Sequence, residues 1–196
     1  MKLSKGAISW WCTLTMLVCT TAAGATAPRA QTTISGAQAP AAVKPAAAEN
    51  PIERLGWIVG GTWTTEEKND DGGTLTVKLV CTWAETRQAV LYKVSFEAGG
   101  KDTPQYDGMY VWNQEKKKFT LWQVNRKGEV AEGEVTVNGE EMDQLVRVVH
   151  PDGGLHFLKA HYTRVNQDEF RFKAWFRLSE TAEWQDALDI VYKRSR

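Results

Sequence analysis

From residue 61 onward the chain alternates apolar and polar side chains with a period of two, and glycine-rich turns interrupt the alternation at short intervals. Between 169 and 178, Phe170, Phe172, Phe176 and Leu178 share one face while Arg171, Lys173 and Arg177 share the other. Between 74 and 84, Leu75, Val77, Leu79, Cys81 and Trp83 oppose Thr74, Thr76 and Lys78. The pattern predicts ten strands, over 61–68, 74–84, 88–97, 105–113, 118–125, 129–137, 141–150, 154–165, 169–178 and 186–194. The turns between them include Asp70-Asp71-Gly72-Gly73, Ala98-Gly99-Gly100, Arg126-Lys127-Gly128, Asn138-Gly139 and Pro151-Asp152-Gly153-Gly154. Asn138-Gly139 is the strongest hairpin signal, because a type I′ turn needs positive φ at both central positions.

One apolar and one wet face per strand is the pattern of an antiparallel sheet with solvent on one side. Ten such strands without covering helices leave a sandwich or a closed barrel. Consecutive short hairpins favour an all-β, up-and-down meander barrel, whose closure removes exposed edges. Ahead of the strands, the spacing of Ile52, Leu55 and Ile58 predicts a short helical turn, with Asn50 as N-cap and Pro51 at the first helical position. Gly60 and Gly61 end it.

The N-terminus follows a different rule. Lys2 and Lys5 precede an apolar run from Ala7 to Val18, and small residues with an A-x-A pattern at Ala23-Gly24-Ala25 come next. That order predicts a signal peptide over 1–27. The run is shorter than the about 20 residues of a transmembrane helix, so no span is expected in the mature protein. Residues 28–50, rich in Ala and Pro and free of aromatics, are expected to be a disordered linker, and 51–196 the barrel. An exported protein, periplasmic or secreted, follows, and N-terminal sequencing should find a mature start between Ala23 and Gln31; retention of Met1 on the soluble protein would overturn this. Cys12 and Cys19 leave with the signal, so Cys81 cannot form an internal disulfide and reads as a small buried hydrophobe.

The 24 basic and 24 acidic residues cancel, which argues against a nucleic-acid partner. No catalytic residue stands out: there is no G-x-S-x-G elbow, P-loop or G-x-G-x-x-G. His156 and His161 are five apart on one strand and point to opposite faces, so they cannot clasp one metal. No metal and no cofactor are expected, with haem on His161 as the one alternative, since a single axial histidine suffices. Glu132 and Glu134 face outward, because Ala131, Gly133, Val135 and Val137 make the better inward set.

Nine Trp and six Phe are many for 196 residues. Trp83, Tyr92, Tyr106, Tyr110, Trp112, Phe157, Phe170, Phe172 and Phe176 fall on faces expected to point inward, either as core or as the walls of a small-molecule cavity. In the second case Tyr92, Tyr106, Tyr110, Gln123 and Gln144 are the polar groups that orient the ligand.

Gly61-Thr62-Trp63 opens the first strand directly after the helical turn, Tyr106-Asp107-Gly108-Met109-Tyr110-Val111 forms a central strand, and the chain ends Tyr192-Lys193-Arg194. From Pro51 to Arg196 these segments resemble the calycin superfamily, and most closely bacterial lipocalin-like domains of unknown function. The true lipocalins' disulfide and further signature strands are missing. The resemblance implies that Gly61, Trp63 and Arg194 close the barrel structurally, with Trp63 packed beneath Arg194. A guanidinium over an indole gains about 0.5–2 kcal/mol. It also implies a non-enzymatic barrel holding a small apolar or amphipathic molecule. Two rival readings remain open, an envelope protein-interaction or structural module without a ligand, and a lipocalin-like isomerase or cyclase. A solid core would favour the first rival, and a buried carboxylate or histidine facing a cavity the second.

Overall fold

The computed structural model describes residues 50–68 and 72–195, so the expected signal peptide and linker lie outside the described residues. A 3-10 turn, Pro51–Leu55, precedes ten strands: β1 (Thr62–Lys68), β2 (Thr74–Trp83), β3 (Ala89–Ala98), β4 (Lys101–Asn113) and β5 (Lys118–Asn125). β6 (Val130–Asn138), β7 (Glu141–Val149), β8 (Leu155–Asn166), β9 (Glu169–Arg177) and β10 (Gln185–Ser195) complete the set. Each strand pairs antiparallel with the next, and β10 returns to β1 with Trp63 opposite Arg194, so the meander closes into a barrel. The alternation had predicted this architecture.

One strand differs from its expected extent by more than a residue at either end. β4 begins at Lys101 rather than 105, because Gly99 and Gly100 take φ of 58° and 76° and close a two-residue turn that carries pairing to Ala98 and Lys101. A register shift between Val94 and Ser95 then absorbs the mismatch around Pro104.

The barrel has a shut end and an open end. At the shut end, Asn50 Oδ1 accepts from the Ile52 amide and starts the 3-10 turn, which lays Ile52 and Leu55 against the strand ends. Ile52, Leu55, Trp63 and Phe170 are each 0 % exposed. Gly60 and Gly61, at φ of 88° and 72°, turn the chain into β1, and a Cβ on Gly61 would lie 3.0 Å from Arg194 Cγ. Glycine is needed there for the backbone angle and for the close approach. Inward side chains of the opposite half, among them Val77, Val94, Phe96, Leu158, Phe172 and Phe176, are only half-buried.

Candidate functional site

Four groups of residues follow the barrel axis, and the sequence-predicted aromatics divide among them. The floor takes Trp83, Trp112 and Phe170. Trp63 meets Phe170 edge-on at 4.8 Å between ring centroids, Phe170 stacks on Tyr192 at 4.9 Å, and Trp112 meets Phe119 at 5.0 Å. Trp63 Nε1 donates to the Ile58 carbonyl at 2.8 Å, and the Arg194 guanidinium lies 4.1 Å from the Trp63 ring centre. Arg194 also donates to the carbonyls of Trp57 at 2.8 Å and Gly60 at 3.1 Å, tying the 3-10 turn to the last strand.

Above the floor is a layer of phenols. Tyr92 donates to Gln123 Oε1 at 2.7 Å, and Gln144 Nε2 donates to the Tyr110 hydroxyl at 2.8 Å. A Cβ on Gly108 would lie 2.5 Å from the Tyr92 hydroxyl, so glycine is what lets that ring cross β4. Burial pushes the Tyr92, Tyr110 and Tyr162 hydroxyls well above the ordinary phenol range. They stay protonated as hydrogen-bond donors. Cys81, buried in the same region, is pushed up to about 12 by burial, so it is a packed thiol rather than a nucleophile.

The open half is the third group. Phe172 packs on Tyr162 at 4.7 Å between centroids, and Leu158 stands between Val146 and Phe176 on its neighbouring strands. With Val77, Val94 and Phe96 they form an apolar wall that remains partly open to solvent. Of the predicted ligand residues, Tyr106, Phe172 and Phe176 belong here.

Phe157 corrects the sequence reading. Its partners in register are Arg147 and Arg177, both on the outer face, and the Arg177 guanidinium covers its ring at 5.1 Å. Phe157 is thus buried from outside by an arginine, which apolar character alone cannot distinguish from burial in a core. His161 is also on the outer wall, between Asp143 Oδ1 at 2.8 Å and Thr163 Oγ1 at 3.0 Å, so it does not reach the interior. Glu134 faces outward and pairs with Lys118 at 2.7 Å. Among the described residues no group of three or more His, Cys, Asp or Glu is arranged to hold a metal.

The fourth group sits at the rim and was not among the residues expected to form a site. Glu129, 7 % exposed, accepts from Asn125 Nδ2 on Oε2 at 2.6 Å and from His150 Nδ1 on Oε1 at 2.8 Å. His150 Nε2 lies 2.8 Å from His156 Nδ1. His156 pairs with Val148 and shares the inner face of β8 with Leu158, Ala160 and Tyr162. A buried carboxylate therefore connects through two imidazoles to the inner face of β8. The available signal was the hairpin itself: residues six apart across the Pro151–Gly154 turn fold together, whereas His156 and His161, five apart along one strand, point to opposite faces. Burial first, then His150, lowers the His156 pKa, with Glu129 opposing. His156 is thus neutral around pH 7.

No family model matches this chain, and no curated protein matches it. A solved structure described as "Structure of EF1p2_mFAP2b bound to DFHBI" is similar at 15% identity with a TM-score of 0.33, covering 74% of this chain and 99% of that one. The architecture of this chain rests on its own strand pairing. No helix among the described residues is long and apolar enough to cross a membrane.

Proposed function

We propose that the barrel is a binding protein for a small apolar or amphipathic molecule, which enters at the open end and lodges above the phenol layer. The observation that carries this is the contrast along the axis: the floor is packed shut, while Val94, Leu158, Phe172 and Phe176 point inward and are only partly buried. Apolar walls with a few polar groups are how small-molecule sites are built. The calycin reading is supported by Gly61, Trp63 and Arg194, which sit together where β1 meets β10. The leader-like N-terminus supports an exported location, periplasmic or secreted.

The test is a titration of intrinsic Trp fluorescence with saturated fatty acids of increasing length, retinoid-like molecules and haem. Each buried CH₂ contributes about 0.8 kcal/mol, so affinity should rise about fourfold per methylene until the cup is full. Phe172→Ala should weaken binding of the longer chains. If no compound gives a saturable change up to millimolar concentration, the ligand reading fails. A second reading would then take its place, because the outer wall carries contiguous exposed apolar side chains. Leu91, Met109 and Trp122, in register on β3, β4 and β5, are 41 %, 39 % and 43 % exposed, which suits a protein-interaction module.

A further inference from the structure

We propose that the outer wall over β6–β9 is a dimer interface, and that its partner is a second copy of this chain. The interface is independent of what the cup holds.

Strand register sets the outward side chains of these four strands in rows. Glu132, Arg147, Phe157 and Arg177 stand in one row, from β6 to β9, and Glu134, Leu145, Lys159 and Trp175 in the next. A third row holds Asp143 on β7 and Lys173 on β9. Charge divides the rows lengthwise. The β6–β7 half carries Glu132, Glu134 and Asp143 against Arg147, whereas the β8–β9 half carries Lys159, Lys173 and Arg177 and no carboxylate in these rows. A groove of about 740 Å³ crosses both halves, lined by residues of the first two rows, so the wall is concave where a partner would seat. Glu180, from the loop after β9, lines it too but makes no ion pair with Arg177 among the described residues.

The contacts within the chain sort the charges a second time. Glu134 is taken by Lys118 at 2.7 Å, and Asp143 by His161 at 2.8 Å. Among the described residues Glu132, Arg147, Lys159 and Arg177 make no ion pair. Aromatic rings nevertheless fix two of these cations. Lys159 Nζ lies 4.4 Å from the Trp175 ring centre, and the Arg177 guanidinium lies 5.1 Å from Phe157 and 4.5 Å from Trp184. Arg177 Nε is buried with no acceptor. Cations held this way lose little further side-chain freedom when an anion arrives. Glu132, on the acidic half of the same face, is an anion that lacks a cation.

A two-fold axis along the β7–β8 boundary brings them together. An isologous interface sets one patch against itself. With the axis parallel to the strands, each row meets itself in reverse order. β6 then faces the second copy's β9, and β7 faces its β8. Glu132 meets Arg177 of the second copy, and the same contact recurs on the other side of the axis. Leu145, 54 % exposed, lies beside the axis, where the aliphatic stem of Lys159 from the second copy covers it. The two acidic halves never face each other, nor do the two basic ones. Four strands about 4.8 Å apart make a face narrower than a standard interface, which places the dimer in the weak, reversible class.

The experiment is sedimentation velocity of the purified chain from about 1 μM to about 1 mM, the range of weak affinities. A monomer–dimer equilibrium should appear and shift to monomer in 1 M salt, where the screening length is about 3 Å. Glu132→Arg and Arg177→Glu each set like charges across the axis, and each should raise the dissociation constant about 10- to 100-fold. Mixed in equal amounts, the two variants should form a dimer as tight as the wild type, because each reversal is answered by the opposite one on the other chain. Arg177→Glu also uncovers Phe157, so Arg177→Gln, which keeps the stem over that ring, should weaken the dimer in the same direction but less. Trp122→Arg, on the β3–β5 wall, should leave the constant unchanged. A monomer throughout the series overturns the proposal. A dimer indifferent to Glu132→Arg and Arg177→Gln overturns it as well, and loss of the dimer in Trp122→Arg would move the interface to the β3–β5 wall. Folded single variants that stay monomeric on mixing would show that Glu132 and Arg177 do not meet, and the two-fold arrangement fails.

Discussion

Trp63→Ala should lower stability by about 3–5 kcal/mol, the range for truncating a large aromatic in a packed core. Trp63 is 0 % exposed and makes three separate contacts that the alanine loses. Its indole N–H holds the Ile58 carbonyl, its ring edge meets Phe170, and its face carries Arg194. With the indole gone, Arg194 keeps its carbonyl partners on Trp57, Val59 and Gly60, between the 3-10 turn and β1, but stands over a void. Urea denaturation of the two proteins measures the difference. A loss under 1 kcal/mol would mean that the floor can collapse around the gap and that Trp63 does not close the barrel.

Phe170→Ala should cost a similar about 3–5 kcal/mol. Phe170 is the hub of the floor, with Trp63 at 4.8 Å, Tyr192 at 4.9 Å, and Trp57 and Tyr162 each at 5.8 Å between ring centroids. Because Phe170 and Trp63 line one shared space, the double variant should be less destabilised than the sum of the two, by about 0.5–3 kcal/mol. Additive losses would show that the two rings pack independently. Neither substitution touches Leu158 or His156, so whatever population stays folded should retain the open end.

The fold was legible because a barrel strand states its two faces in the simplest periodic code. Phe170, Phe172, Phe176 against Arg171, Lys173, Arg177 leaves no choice of register, and the glycine-bearing turns fix where each strand reverses. Tyr92 and Gln123 were both read as inward polar groups, but only the structure shows that they satisfy one another. Phe157 was misplaced because an aromatic ring on an outer face can be buried by an arginine that comes from another strand.

What the sequence by itself determined is therefore local and periodic: ten strands, the inward faces of most of them though not of β8, the order of hairpins, and a helical turn capped by Asn50. Tertiary structure decided everything that depends on which strands meet and at what height. Gly133 gives no sign of its role in the sequence, yet a Cβ there would overlap the Leu145 carbonyl oxygen and lie 2.7 Å from Val146 Cα. Glu129, His150 and His156 carry no local motif either. They become one chain because the turn before β6 and the turn before β8 are brought together at the same rim, and closure then withdraws the carboxylate from water. Proximity between distant residues follows from pairing register and barrel closure, and neither is encoded at any single position.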